Sequence, residues 1–312
     1  MHMGEAKKSM VFVSRIFPDV EEEFNSLLLV ESFRKYGGKL AGSPIWLYYP
    51  ANQGEFSSII LDRLNELDVK LISYSLDRNL PRVFFLSQVY ALINAEKSAR
   101  DQYDYLVWMD SNSLVLNEPV HFLLPANKQV GYKPVHHLLL GPRLNEPLNP
   151  FWSEIYDLCE VNPDRVFPMQ SIIDDVAMKP YFNAGFLVAS PQNALFATWM
   201  DYFQQSLANS IIKEYISKNK MYEIFLHQAI LSGVIMKKFN QSQLIELPET
   251  YNYPLHLWKE DHSNIRPTSL DRFNTIRHEG LLNSETWMFG YPFNKDQVDW
   301  IKNRISLFKN RQ

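Results

Sequence analysis

The sequence predicts an α/β fold with a largely parallel sheet flanked by helices. Three observations predict it. Strand-like and helix-like stretches alternate four times within the first 110 residues, the mark of successive βαβ units. The fourth strand, Tyr105 to Met109 (YLVWM), reads as a short, unbroken, mostly apolar run, as a strand buried on both faces does. It ends abruptly in Asp110-Ser111-Asn112-Ser113. Small polar residues at a carboxyl strand end stand where open α/β sheets bind ligands.

The elements follow in order. Met10 to Ile16 (MVFVSRI) is the first strand, broken by Phe17-Pro18-Asp19. A helix from about Val20 to Tyr36 carries an apolar stripe of Val20, Phe24, Leu27, Leu28 and Phe33, with Glu21, Glu22 and Glu23 well placed in its first turn. Gly37-Gly38 stops it. Ile45 to Tyr49 is a second strand; Phe56, Ile59, Ile60, Leu64 and Leu67 mark a second helix; Val69 to Tyr74 is a third strand. Pro81 suits the first turn of a helix reaching about Ser98. After the 105–109 strand, a second apolar run covers Leu114 to Leu116.

Glu118 to Val161 holds six prolines, so loops are expected there, with a short strand near Gln129 to Tyr132 and little long helix. Tyr181 to Ser190 (YFNAGFLVAS) is a strand with a polar, glycine-bearing start. Pro191 opens a helical pattern through Trp199, Phe203 and Leu207. A further helix covers about Tyr222 to Lys238, Leu244 to Leu247 is a short strand, and an amphipathic helix runs from about Lys295 to Asn310. No internal repeat or long linker interrupts the chain. The expected organisation is a tail over 1–9 and one domain over 10–312, with a C-terminal extension from about 255.

The totals exclude several classes. With 46% hydrophobic and 14% aromatic residues, the chain can build a sizeable core and is not a disordered one. A net charge of -4 gives no electrostatic case for nucleic acid or an anionic membrane. The single cysteine, Cys159, excludes an intrachain disulfide and a cysteine-based zinc site. No apolar run approaches the roughly 20 residues of a membrane helix, and no signal core follows the basic residues of the N-terminus. A cytoplasmic location is the expectation.

Four stretches together resemble a known family. They are VFVSRIFPDVEEEFNSLLLVESFRKYGG at the N-terminus, YLVWMDSNSLVL around Asp110, YFNAGFLVASP, and FLHQAI. Their order is similar to that in nucleotide-sugar glycosyltransferases of the GT-A fold, a Rossmann-like, mostly parallel sheet, and especially to retaining, glycogenin-like family-eight enzymes. The resemblance covers roughly residues 10 to 290. It implies transfer of a hexose from a nucleotide diphosphate sugar, UDP-linked, to an acceptor that could be a glycan, a protein or a small molecule. It also implies Mn²⁺ or Mg²⁺, since a divalent ion bridging two phosphates stabilises the charge of the leaving group and oxygen ligands suit those ions.

Residue by residue, the resemblance places Asp110, Asn112 and His278 at the metal. It places Ser14 and Arg15 at the base and ribose, and Asp110, Ser111 and Gly185 at the donor. Asn183 would meet the donor sugar or acceptor, Gln228 would lie near the anomeric carbon, and His227 would hold sugar hydroxyls. The match has departures. Asn112 stands where the family has a second carboxylate, so the site loses a negative charge. His227 replaces an Asp. Gly280 lies one residue too close to His278, and Glu285-Thr286 replaces a Lys-Pro pair before Trp287.

Plain structural readings stand beside these. Asn183 and Gly185 suit a strand start with one permissive backbone position, Gln228 an exposed helix face, Arg15 the surface, and His278 a core cap. His136-His137 reads as a loop pair. No residue is an obvious inverting base, with Asp174, Asp175 and Glu249 as candidates. A different class also fits: a glycosyltransferase-like domain that binds nucleotide or glycan without turnover. A sugar-phosphate nucleotidyltransferase is disfavoured, because SRIFPDV lacks a glycine-rich cradle for a triphosphate.

Overall fold

The computed structural model describes residues 9–76, 85–263, 266–283, 287 and 290–309, the side chains of 307–309 excepted. Pro81, the Glu285-Thr286 pair and residues 1–8 of the expected tail lie outside them.

The first half alternates as expected: β1 (Met10–Arg15), α1 (Val20–Tyr36), β2 (Ile45–Pro50), α2 (Ser58–Glu66), β3 (Val69–Tyr74), α3 (Leu86–Ala99) and β4 (Tyr105–Met109). Local chemistry sets α1. Asp19 Oδ1 accepts from the amides of Glu21 and Glu22 at 3.0 and 3.3 Å, satisfying two of the helix's orphan donors. At its other end the Gly37 amide returns to the Phe33 carbonyl and Gly38 takes φ +55°.

After β4 come β5 (Ser113–Val115), β6 (Val130–Pro134), α4 (Pro150–Leu158), β7 (Met169–Gln170), β8 (Ala177–Met178) and β9 (Phe182–Ala189). The rest is α5 (Leu195–Ala208), α6 (Ser210–Lys218), α7 (Lys220–Lys238), β10 (Leu244–Glu246), β11 (Tyr253–Pro254), β12 (Thr275–Arg277) and α8 (Lys295–Lys309).

Seven strands form the main sheet in the order β10-β6-β9-β4-β1-β2-β3. Every described pairing in it is parallel except those of β9, which runs antiparallel to both β4 and β6. The sheet is therefore mostly parallel, as expected, but the amino end of β9 meets the carboxyl ends of its neighbours. That reversal puts the Phe182-Asn183-Ala184-Gly185 stretch beside Asp110, whose amide donates to the Gly185 carbonyl at 3.0 Å.

Alternate residues of each strand feed two cores. Val11, Val13, Trp108 and Leu187 pack under α3, α5 and α7. Phe12, Val107, Met109 and Phe186 pack under α1, α2 and the C-terminal segment.

Several elements differ from the sequence reading, among them the short strands β7, β8 and β11. Pro191 does not open α5: residues 191–193 form a short 3₁₀ turn, Ala194 takes φ +49°, and the helix starts at Leu195. Its free amides at Phe196 and Ala197 are capped by the two oxygens of Glu96 on α3, at 3.0 and 2.9 Å, a partner that local sequence cannot announce. Helix α6 was not expected, and neither was β12. The latter pairs antiparallel with β5 and parallel with β11 in a second, three-stranded sheet. Its register sets Arg277 opposite Ser113, folding the C-terminal segment against the Asp110 turn.

Candidate active site

The carboxyl ends of β4 and β6 and the amino end of β9 converge on a cavity of about 210 Å³. Asp110, Asn183, Gly185, His227, Gln228 and Arg277 line it, with Phe85, Gln88, His136, His256 and Glu279.

The Ala184 peptide is the fixed point of the wall. Its carbonyl accepts from Gln88 Nε2 at 2.6 Å and Trp108 Nε1 at 3.1 Å, and its amide donates to Gln228 Oε1 at 3.0 Å. The last contact identifies which end of Gln228 is which, because an N–H needs an oxygen acceptor. What Gln228 offers the cavity is its NH₂ group. Asn183 is anchored likewise: Oδ1 accepts from the Gly185 amide at 2.9 Å, and Nδ2 lies 3.3 Å from His136 Nε2.

His227 stacks on Phe85 with ring centroids 4.3 Å apart. Its Nδ1 donates to the Ile224 carbonyl at 2.9 Å, so Nε2 is the acceptor nitrogen of the neutral ring. Burial pulls its pKa down to about 3, against the hydrogen bond to Ile224.

Asp110 is 2% exposed. Its Oδ2 lies 3.5 Å from Arg277 Nη2 and 3.9 Å from Arg15 Nη2. Burial opposes its charge, but Arg15 and Arg277 overcome that and hold its pKa below the ordinary value. Burial likewise opposes the charge of Arg277, and Glu279 and Asp110 more than offset it. The Arg277 Nε also bonds Glu279.

The other expected site residues are placed differently. Ser14 is fully buried and donates to the Met109 carbonyl at 2.7 Å; it ties β1 to β4 and does not line the cavity. Arg15 is not a surface residue: its side chain is 12% exposed and reaches Ser87 and Asp110. The Ser111 hydroxyl lies 3.0 Å from Glu22 and 3.3 Å from Asp110. His278 is fully buried and outside the cavity lining. Burial, then Arg277, lowers its pKa to about 3.

Asp174 is engaged by His137 at 2.7 Å and by the Leu138 amide, Asp175 by Gln170 at 2.8 Å, and Glu249 faces Arg272 at 3.6 Å. None of the three lines this cavity. His136 lies in the loop after β6, as expected, but is buried in the cavity wall, with Nε2 3.1 Å from the Asn252 carbonyl.

The residues do not fit a divalent metal. Asn112 Oδ1, the expected second ligand, accepts from Asn25 Nδ2 and from the Gly280 amide, both at 3.1 Å. Asp110, the one carboxylate of the set, already faces two guanidiniums. No cluster of three His, Cys, Asp or Glu able to hold a metal occurs among the described residues. His278 alone favours a ligand role, since its ring nitrogens meet no hydrogen-bond partner among those residues. One neutral imidazole does not offset the charge repulsion from Arg15 and Arg277.

Arg277 is, with Phe85, Gln88, His256 and Glu279, among the site residues that sequence reading missed. For Arg277, a charged residue closing an apolar Thr-Ile run beside His278 was the available signal.

No helix of the described residues is long and apolar enough to cross a membrane. No curated protein matches the sequence. Among solved structures, the chain is similar to the apo bifunctional glycosyltransferase WbbM, with a TM-score of 0.54, 16% identity, and coverage of 98% of this chain and 50% of that one. It thus spans about half of the WbbM chain. It is also similar to an active-site mutant of LgtC, with a TM-score of 0.50, 12% identity, and coverage of 97% and 96%. At such identities these likenesses show the GT-A fold. The model of the Rhodobacterales glycosyltransferase domain matches residues 17–239, more than half the chain, and the protein belongs to that glycosyltransferase family.

Proposed function

We propose that this glycosyltransferase takes a hexose from a nucleotide diphosphate sugar, UDP-linked, and passes it to an acceptor with retention of anomeric configuration. One observation carries the reading: a cavity at the carboxyl strand ends brings Asp110, Asn183, Gly185, His227 and Gln228 together. UDP and retention come from the resemblance to family-eight enzymes. The cavity wall supports retention in one respect. Its described carboxylates are Asp110 and Glu279, both paired with Arg277, and neither is a free base for an inverting attack.

The roles follow from the polar atoms each residue presents. The Gln228 NH₂ group donates to the sugar or to the departing oxygen. The His227 Nε2 accepts from a sugar hydroxyl, while Phe85 and the Ile224 carbonyl hold the ring. Asn183, whose Oδ1 is held by the Gly185 amide, orients the sugar beside them. The anchored Ala184 peptide means these groups are in place before substrate arrives, so little reorganisation is needed in the transition state.

A second reading, binding without turnover, is favoured by the commitment of the Asn183 and Gln228 oxygens to backbone amides. A thermal-shift panel of nucleotide sugars, followed by donor hydrolysis and transfer assays on each hit, separates the two. A ligand at 100 times its dissociation constant adds about 2.7 kcal/mol of stability. The expected result is a shift with UDP-sugars and slow donor hydrolysis. A shift without hydrolysis or transfer supports the second reading, and no shift with any nucleotide sugar sinks both.

A further inference from the structure

The disagreement between the expected metal ligands and their surroundings has its own chemistry. Two guanidiniums reach one buried carboxylate from two sheets: Arg277 on β12 at 3.5 Å and Arg15 on β1 at 3.9 Å from the same oxygen of Asp110. In a metal site that carboxylate would be the principal charge holding the ion. Here it lies between two permanent cations, and a divalent ion would have to enter against both.

The architecture is built around Arg277. Gly185 makes room for it, since a Cβ there would stand 1.8 Å from Arg277 Nη1. Asp110 and Glu279 orient its fork from two sides. Asn112, where a second metal carboxylate is expected, instead accepts the Gly280 amide and bonds Asn25. Its backbone carbonyl accepts the His278 amide at 2.8 Å. The Asp110-Ser111-Asn112 turn thus holds the strand end that delivers Arg277. Glu279, whose side chain is 37% exposed, sits at the rim, where an incoming anion can displace it from the Arg277 Nε. A guanidinium is always charged and offers paired donors that match phosphate oxygens. Charge placed there stabilises a departing diphosphate as a bound cation does.

We propose that Arg277, supported by Arg15, supplies the positive charge at the donor's diphosphate, so that the protein binds a nucleoside diphosphate without a divalent metal. The proposal rests on the nucleotide-sugar reading above and deepens it.

The test is calorimetric titration of UDP, GDP, CDP, ADP and dTDP into the full chain, once with excess EDTA and once with excess MnCl₂. At least one is expected to bind in EDTA at least as tightly as in excess Mn²⁺, because a diphosphate chelated by Mn²⁺ is no longer free to meet the guanidiniums. Arg277→Ala is expected to weaken that binding by about tenfold or more, and Arg277→Lys by less, because an ammonium keeps the charge without the fork. Melting curves check that the variants fold. If Arg277→Ala does not, Arg277→Lys and Arg15→Gln carry the comparison. Mn²⁺ electron paramagnetic resonance gives a second readout: adding protein to Mn²⁺ and diphosphate should produce no protein-bound Mn²⁺ signal, in the wild type and in Asn112→Asp alike.

Binding that appears only with Mn²⁺, or wild-type affinity in the arginine variants, overturns the proposal and leaves the donor reading standing. Absence of binding by every nucleoside diphosphate under both conditions overturns the two together.

Discussion

Gly185 and Arg277 share one space: the guanidinium of Arg277 passes so close to Gly185 that a Cβ on the glycine would lie 1.8 Å from Nη1. The backbone of Gly185 is ordinary, without a positive φ, so the requirement for glycine comes from this approach and not from conformational freedom. Gly185→Ala must move the guanidinium away from Asp110. Overpacking of this kind costs about 1–3 kcal/mol. A lower melting temperature with a folded circular-dichroism spectrum, together with weakened nucleoside diphosphate binding, is the expected outcome. A variant matching the wild type in both measurements would show that Arg277 has another position available.

Gln228 joins the wall and the chemistry. Removing its side chain leaves the buried Ala184 amide without its acceptor, a loss of about 1–3 kcal/mol. Gln228→Ala is therefore expected to melt earlier than the wild type. On a confirmed donor and acceptor it should lose turnover far more than donor affinity, as for a contact made mainly in the transition state. Gln228→Glu keeps an oxygen for Ala184 but loses the NH₂ donor, so stability should be largely restored and turnover not. Full turnover in both variants would reduce Gln228 to a structural anchor.

Cys159 is a pH probe of the core beneath α4 and α7. It is fully buried and its thiol is pushed up to about 12 by burial. A thiol raised in the folded state contributes stability that is fully present below its ordinary value of about 9 and is lost as pH rises towards 12. The native protein should resist alkylation at pH 8 and react only on denaturation. Unfolding free energy should decline between about pH 9 and 12, and Cys159→Ala should lessen that decline. Rapid labelling of the native protein would contradict the burial.

Glu31 fastens the C-terminal helix. This carboxylate on α1 is 5% exposed and holds Arg63 of α2 at 2.6 Å and Arg304 of α8 on its other oxygen. Arg63 and Arg304 are partly solvated, so the loss in Glu31→Ala should be moderate, about 1–3 kcal/mol. Limited proteolysis should release α8 sooner from the variant than from the wild type. Identical digestion patterns would mean that apolar contacts of Trp300 and Ile301 suffice.

What was legible in the sequence were features whose causes are local. The bounds of α1 follow from Asp19, the three glutamates and Gly37; those of β4 follow from a short apolar run with a polar end. The turn after Met109 stood out by residue type at a strand end, and the Phe-Asn-Ala-Gly start of β9 by its resemblance to a family-eight block. Tertiary structure alone decided the direction of β9, the tertiary cap that Glu96 gives α5, and the placing of His136 in the cavity wall. It also decided that Ser14 and Asn112 spend their polar atoms on neighbouring backbone. Above all it decided that Arg277 meets Asp110 across half the chain, because β12 pairs with β5 in one register. Such contacts depend on which strands become neighbours, and a charge acts on whatever the fold sets within a few ångströms of it, however far away it lies in sequence.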